Sequence, residues 1–324
     1  MKFSSSYIML LHVPMSAAIP PEQPLYTEDY KSEIIKKHKP KPDRAMNIQL
    51  LMGMVKLILL TCNENEKLAV YEKLNPPIVG SSRSPLKRAL YVPQHDLVIG
   101  IFAGYTVAVL TTEQGKKADI PLKTALDRFQ NAEAIIAVGV GYGKSDDSIK
   151  FADVMVSDHI ENASQVSMVG TNDQDTHVEA RGGRLPIKNE LLRYFKCTSD
   201  WYHENGFQVS KEGRKSQAKV GTIVSCETLV RAISLRDEYM SLMAKSVGGE
   251  MEGCSLLNMI EWMEQEGRPL SVIVIKGVAD YGDNRKDKRW QLTAAKAAVD
   301  FVYYCLEQTG GMGRFLPVSL PLLN

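Results

Sequence analysis

Four short segments of this 324-residue chain carry side chains able to do chemistry, and each lies beside an apolar run or a glycine cluster. The run Ser271 to Ile275 (SVIVI) leads into Lys276-Gly277-Val278-Ala279-Asp280-Tyr281-Gly282-Asp283. An aspartate just past the carboxyl end of a buried parallel strand stands where open α/β sheets bind ligands. Desolvation there raises a carboxyl pKa toward use as a general acid, which makes Asp280 a candidate proton donor. An Asx turn built on Asp280 or Asp283 explains the same residues equally well. Upstream, Gly248-Gly249-Glu250-Met251-Glu252-Gly253 is read as the N-terminus of a helix. Acids in a first turn complement the helix dipole. The flanking glycines point further, to backbone approaching a ligand closely with a carboxylate and a thioether presented to it. A carboxylate accepts two hydrogen bonds side by side, which suits the vicinal diol of a ribose.

The third segment, Thr61-Cys62-Asn63-Glu64-Asn65-Glu66, again sets carboxylates after a buried strand, and a plain helix start accounts for them as well. The fourth, Gly139-Val140-Gly141-Tyr142-Gly143-Lys144-Ser145, ends in Gly-Lys-Ser as a P-loop does. A P-loop needs a glycine five positions before Gly143, where Val138 stands. The polar Ser145-Asp146-Asp147-Ser148 leads toward another strand, whereas a phosphate cradle leads into a helix. G-x-G-x-x-G is not matched either. The segment is read as a glycine turn that lets a ligand lie against backbone at a strand's carboxyl end.

The elements that must position these residues follow from apolar periodicity. Val55 to Thr61, Ala134 to Val140 and Ser271 to Ile275 are predicted as buried strands. Asp153 to Ser157 and Lys219 to Ser225 are read as two shorter ones, and Leu97 to Phe102 with Tyr105 to Thr111 as a hairpin around Ala103-Gly104. Helices are predicted from Glu64 to Leu74, Ile120 to Phe129, Lys188 to Phe195 and Gly253 to Glu264. A last helix places Ala294, Ala297, Ala298, Phe301, Val302 and Cys305 on one core-facing stripe. Gly170 to Gly213 is polar and irregular, as a lid or insertion would be. Strands alternating with amphipathic helices imply a mostly parallel sheet covered on both faces, with no internal repeat and no second domain.

Composition sets the bounds. Lys plus Arg number 39 and Asp plus Glu 38, a formal charge of +1, which argues against a general nucleic-acid surface. Five cysteines, Cys62, Cys197, Cys226, Cys254 and Cys305, are scattered without a C-x-x-C pair. This is the pattern of a reduced, intracellular chain and not of a disulfide scaffold or zinc site. The N-terminal apolar run Tyr7 to Leu11 is short and broken by His12 and Pro14, so no signal peptide is assigned, and Met46 to Leu60 is polar-interrupted and too short to span a membrane. Asn162-Ala163-Ser164 is a chance glycosylation match. Pro20, Pro21, Pro24, Pro40 and Pro42 with Lys36-Lys37-His38-Lys39 mark residues 1–45 as an irregular arm, ahead of one domain over 46–312 and a tail over 313–324.

Together the motifs resemble the purine and uridine phosphorylase superfamily, in particular its methylthioadenosine/S-adenosylhomocysteine nucleosidase branch. Glu250-Met251-Glu252, the strand Val272 to Ile275 continuing through Lys276-Gly277-Val278-Ala279-Asp280, and a terminal alanine-rich helix carry the likeness, which spans Val55 to Glu307. The stretch Asp280 to Gln291 is similar to nucleosidase-like domains fused to immune-signalling modules. The resemblance implies a three-layer α-β-α sandwich with a mixed, mostly parallel central sheet. It implies that Asp280 protonates purine N7, that Met251 packs under the ribose and that Glu252 holds its hydroxyls. Glu66 falls to the glutamate that activates water, with Glu64 as the fallback. Val230 falls where backbone meets the base, and Gly141 in the glycine segment lining the site. Leu229 stands where the nucleosidases carry a stacking aromatic. A homo-oligomer, dimer or hexamer, is implied, acting in the cytoplasm on a small purine nucleoside or nucleotide, without cofactor or metal.

Family phosphorylases place an arginine and a small hydroxyl residue at positions held here by Ala137 and Val140, which favours water over phosphate as nucleophile. Arg83 is an alternative cation for a phosphate. The cluster Arg285, Lys286, Lys288 and Arg289 is either a solvated helix start or a binding surface for 5′-phosphates. The substrate expected is an adenine nucleoside or nucleotide, such as adenosine, methylthioadenosine or ATP. A phosphorylase, or a catalytically silent nucleoside-binding or oligomerisation module, is the alternative.

Overall fold

The computed structural model describes residues 22–27, 29–33, 48–76, 90–92, 97–144, 149–164, 166–169, 177–180, 183–241, 245–283 and 288–308. The signal-like run, Lys36 to Lys39, Arg83, the loop Ser145 to Ser148, Arg285, Lys286 and the tail 313–324 lie outside these residues. Twelve strands are described: β1 (Leu57–Thr61), β2 (Leu90–Val92), β3 (Leu97–Phe102), β4 (Tyr105–Thr111), β5 (Ala134–Gly143), β6 (Val154–Asn162), β7 (Val166–Val169), β8 (His177–Ala180), β9 (Arg184–Pro186), β10 (Ala218–Ser225), β11 (Ser246–Glu250) and β12 (Ser271–Asp280). The helices that matter here are α1 (Ile48–Met54), α2 (Glu64–Lys73), α3 (Asp119–Arg128), α4 (Ile233–Ser241), α5 (Gly253–Gln265) and α6 (Gln291–Gln308).

The main sheet runs β11-β10-β6-β12-β5-β1-β4-β3-β2, with β9 on β6. Its centre is apolar because β1 is buried at every position and β12 at all but its last. Such strands need cover on both faces. Two helix pairs pack on the sheet, α2 with α6 and α3 with α5. The sheet is mixed and partly antiparallel. β1–β4, β1–β5, β5–β12, β6–β10 and β10–β11 are parallel, whereas β2–β3, β3–β4, β5–β11, β6–β9 and β6–β12 are antiparallel. The antiparallel share comes from the predicted hairpin β3–β4, from the added strands β2 and β9, and from β11 on β5 and β12 on β6. In the hairpin, Phe102 pairs with Tyr105, and Ala103 and Gly104 take φ of 48° and 84°. These left-handed values are what a two-residue turn matched to strand twist requires.

Three of the boundaries that differ from the sequence reading lie at the site. The glycine segment is not a turn, because β5 continues through Gly143. β12 runs on to Asp280 itself. Gly248, Gly249 and Glu250 belong to β11, and α5 begins only at Gly253. The cause is one pairing: β11 lies antiparallel on β5 with Gly248 opposite Gly143 and Gly249 opposite Tyr142. That contact closes β5, β12, β6, β10 and β11 into a ring. A Cβ on Gly249 would stand 2.2 Å from the Tyr142 hydroxyl oxygen, and one on Gly141 would stand 2.6 Å from the Gly249 carbonyl oxygen. The glycines read as close approach to a ligand thus serve close approach of two strands.

Helix α6 exceeds its predicted stripe, since every residue from Leu292 to Val302 is buried, Lys296 and Asp300 included. Part of the N-terminal arm supplies the cover. Leu25 N–H donates to the Val209 carbonyl at 3.0 Å, and Tyr26 N–H to Thr293 Oγ1 at 3.3 Å. Lys296 Nζ sits 4.0 Å and 4.2 Å from the ring centroids of Tyr26 and Tyr30 and donates to the Tyr30 hydroxyl at 2.9 Å. Cation–π contact and hydrogen bonding offset the burial that pulls the Lys296 pKa down.

Candidate active site

The ends of β1, β5, β11 and β12 converge, and the start of α2 fixes the first acid there. Asn63 caps α2 by accepting the Glu66 N–H at 3.1 Å, so Glu66 holds the third helical position of a capping-box arrangement. Its carboxylate turns back over the helix start, accepting Cys62 N–H at 2.5 Å and, across the sheet, Val140 N–H at 2.8 Å. Glu66 is 1% exposed. Only glycine fits above it, because a Cβ on Gly139 would lie 2.2 Å from the carboxyl carbon. Glu64, the fallback, is exposed and pairs with Lys67 at 3.2 Å.

The Glu-Met-Glu segment divides its labour. Glu250 accepts from Glu252 N–H at 2.7 Å and from Gly253 N–H at 3.0 Å, so its carboxylate receives the open N–H groups at the start of α5. Glu252 stands at the N-cap position without a side-chain cap bond. It turns instead to Lys276, whose Nζ donates to Glu252 Oε2 at 2.8 Å. Lys276 is fully buried. The sequence reading gave it no role, although a signal was present: a lysine inside the apolar run of β12 must find a carboxylate partner when buried.

This floor is electrostatically coupled. Burial raises the Glu66 pKa, Glu252 raises it further, and Lys276 pulls it down. Burial likewise pushes Glu250 up to about 7, with Glu252 adding to the rise and Lys276 opposing it. For Lys276 burial disfavours the charge, but Glu252 and then Glu66 outweigh it, and the ammonium is held well above the ordinary lysine range. The Cys62 thiol is pushed up by burial beside the same groups. One cation among three carboxylates therefore keeps the floor's charge in place.

A pocket opens above this floor. Val140, Gly141, Leu229, Val230, Met251, Glu252 and Asp280 line it together, as do Gln114, Tyr142, Glu250 and Gln291. The residues expected to touch a ligand are thus brought to one place, and Glu66 lies beneath Gly139 and Val140. Asp280 is half-buried and accepts Gly282 N–H at 2.9 Å, so the Asx turn allowed by the sequence is present. The burial expected of the acid falls on Glu66 instead. Val230 is buried beside the turn at Gly282, whereas Leu229 is 38% exposed. Gln114 and Gln291 were not singled out, since amides in polar connections carry no periodic signal. Gln291 Oε1 accepts from Asn65 Nδ2 at 3.2 Å, which ties the start of α6 to the helix that carries Glu66. Tyr142 contributes a ring whose hydroxyl has no hydrogen-bond partner among the described residues. No group of residues able to hold a metal ion occurs among the described residues. Nor is any described helix long and apolar enough to cross a membrane.

No family model matches the chain. It is 23% identical over 276 residues to a death domain-containing ATP nucleosidase of Amphimedon queenslandica, covering 78% of this chain and 48% of that protein. The chain therefore spans about half the length of that curated relative. A 5′-methylthioadenosine/S-adenosylhomocysteine nucleosidase from Neisseria meningitidis, solved with methylthio-immucillin-A, superimposes with a TM-score of 0.58 at 17% identity, over 78% of this chain and 99% of that one. Futalosine hydrolase of Helicobacter pylori gives 0.57 at 13% identity, over 79% and 98%. The resemblance read from the Glu-Met-Glu segment and from β12 thus holds for the whole fold: this chain is built as the methylthioadenosine/S-adenosylhomocysteine nucleosidases and futalosine hydrolase are built.

Proposed function

We propose that the chain is a purine nucleosidase, hydrolysing the N-glycosidic bond of an adenine nucleoside or nucleotide to free adenine and ribose or ribose phosphate. The observation that carries this reading is the stacking of Asp280 at the pocket rim over a buried floor in which Lys276 is bonded to Glu252 and coupled to Glu66. The named activity of the Amphimedon queenslandica relative and the likeness to the solved nucleosidase and futalosine hydrolase support it.

In this reading the base lies between Val230 and the Asp280 carboxyl, and Asp280 protonates purine N7 so that adenine leaves neutral. Met251 packs against the ribose. Glu252, its position fixed by Lys276, accepts hydrogen bonds from the ribose hydroxyls through its free oxygen sites. As the glycosidic bond lengthens, positive charge grows on the ribose, and the carboxylates below it stabilise that charge. Glu66 takes the proton of the attacking water. Its raised pKa makes it a stronger base than an exposed carboxylate, and its two backbone bonds keep it aimed. Acid and base are both side chains, so the reaction needs no cofactor or metal. Water is favoured over phosphate because no lysine or arginine is among the described residues lining the pocket, and Ala137 and Val140 offer phosphate neither cation nor hydroxyl.

The same proposal includes a three-layer sandwich, supported by the two separate helix pairs. It includes a homo-oligomer, supported by apolar Ile120 and Trp262 standing exposed on the packed helices α3 and α5. A cytoplasmic location is supported by five cysteines that are all free.

The test is incubation of the protein with adenosine, methylthioadenosine and ATP, with and without phosphate, followed by chromatography. Adenine release without phosphate is expected from at least one of them. Release from none sinks the proposal, and strict phosphate dependence makes the protein a phosphorylase.

A further inference from the structure

Two of the five cysteines, scattered in sequence, meet in space. Cys197 Sγ and Cys305 Sγ lie 3.0 Å apart, although 108 residues separate them in the chain. The other three have different neighbours: the Cys62 sulfur faces Thr112 Oγ1 at 3.5 Å, the Cys254 sulfur faces Ser164 Oγ at 3.3 Å, and the Cys226 sulfur accepts Thr228 N–H at 3.4 Å. A disulfide needs a sulfur–sulfur distance near 2.05 Å, so about 1 Å of closure separates this pair from the bonded state.

The surroundings hold the pair in place. Cys197 stands half-buried between the turn Arg193–Phe195 and the short helix Thr198–Asp200, and Cys305 is fully buried near the end of α6. On either side of the thiols the two segments are already joined. Trp201 Nε1 donates to Asp300 Oδ2 at 3.1 Å, and the Tyr304 hydroxyl donates to Glu204 Oε2 at 2.6 Å. The partner thiol's hydrogen bond also holds the Cys197 pKa below the ordinary thiol value, while burial pushes Cys305 up. The half-buried thiol is therefore the more readily ionised one.

We infer that Cys197 and Cys305 form a dithiol modification site that takes up an intramolecular disulfide by exchange with an oxidised low-molecular-weight thiol of the glutathione class. The Cys197 thiolate attacks one sulfur of the small disulfide, breaking its S–S bond and releasing one small thiolate. The resulting mixed disulfide is resolved by Cys305, which gives up its proton and attacks the Cys197 sulfur, expelling the second small thiolate. Both released thiolates take up protons. The small disulfide is reduced to two thiols, and the two protein thiols are oxidised with the loss of two hydrogens. The product ties the segment 193–205 covalently to α6, the helix whose first residue, Gln291, lines the candidate active site.

The experiment treats the full chain with excess oxidised glutathione, alkylates the remaining thiols and maps peptides by mass spectrometry without reduction. The expected result is a Cys197–Cys305 peptide, three alkylated cysteines, and a melting temperature raised by several degrees that returns to its starting value with dithiothreitol. Cys197→Ser and Cys305→Ala each remove the cross-linked peptide and the thermal shift. The second keeps the buried position small and apolar, so that it folds. Five alkylated cysteines, a mixed disulfide at Cys197 that Cys305 does not resolve, or a cross-link between other cysteines would overturn the inference.

Discussion

The floor and the rim of the candidate site are built on opposite terms. Below, Glu66, Glu252 and Lys276 are all at most 3% exposed, and each has its partner within the protein. Above, Asp280 is half-buried on a turn of its own making, Met251 and Gln291 are half-buried, and Leu229 is exposed. Floor groups carry buried charge compensated by one another and by backbone N–H groups, so changing one alters both stability and chemistry. Rim groups are anchored by backbone, so their chemistry can be removed while the fold stays. The difference separates catalytic from structural effects of substitution at one site.

The sharpest break is Lys276→Met. It leaves Glu252 without its ion-pair partner in a dry interior, a loss of roughly 3–5 kcal/mol for a buried pair. Urea unfolding should show it directly. If enough folded protein remains for kinetics, the acidic limb of kcat/KM should move to higher pH, because the lysine charge that lowers the Glu66 pKa has gone. Lys276→Arg, which keeps the charge, should restore most of the stability. A Met variant as stable as the parent would mean that the floor is not electrostatically closed.

Next in size are the two carboxylates of the proposed reaction. Asp280→Asn and Glu66→Gln should each lower kcat by about 10²- to 10⁴-fold, the range of general acid–base catalysis. Their stabilities should differ. Asparagine supports the same Asx turn, so the first variant should unfold within about 0.5 kcal/mol of the parent. Glutamine at 66 has one carbonyl oxygen for two backbone donors, Cys62 and Val140 N–H, and leaving one unmet costs about 1–3 kcal/mol. Matching unfolding curves for the two variants would erase the distinction between floor and rim.

Sequence periodicity was a good guide where burial is two-sided and local. The hairpin β3–β4 lies where the pattern put it, with both strand ends in place. Asp280, Glu252 and Glu66 were legible because each follows or opens an element whose end the pattern marks. Their neighbourhood was not. The ring closure between β11 and β5 joins segments about a hundred residues apart through glycines, which have no hydrophobic signature, so Gly139 to Gly143 read as a turn. Lys276 was hidden for a related reason: its partner Glu252 is 24 residues away on another element, and one charge in an apolar strand does not name its counter-ion. The coverage of α6 by residues 22–27 and 29–33 depends on tertiary docking of a stretch that has no pattern of its own.

A subtler effect is expected at Glu250, which belongs to the floor by burial but caps α5 instead of facing the chemistry. Its pKa is raised from the ordinary 4.5 to about 7, chiefly by burial. The folded state therefore binds this proton more tightly than the unfolded chain does. The stabilisation is full below about pH 4.5 and is lost as pH rises through about 7. Glu250→Gln removes the titration. The melting-temperature difference, parent minus variant, should fall steadily from pH 5 to pH 8. A difference independent of pH would place Glu250 outside the coupled floor.

The smallest effect belongs to Leu229, the rim residue with the least support from the protein. It stands 38% exposed beside buried Val230, so truncation removes little packing, and Leu229→Ala should change stability by no more than about 0.5 kcal/mol. In the proposed reaction it touches the base equally in ground and transition states, so KM should rise a few-fold with kcat unchanged. Leu229→Phe offers a flat ring for the base to stack on, a contact worth about 0.5–1.5 kcal/mol, and should lower KM by a similar few-fold factor. If either change moved kcat by more than tenfold, Leu229 would be aligning the base against Asp280, and the rim would share the floor's coupling of position to chemistry.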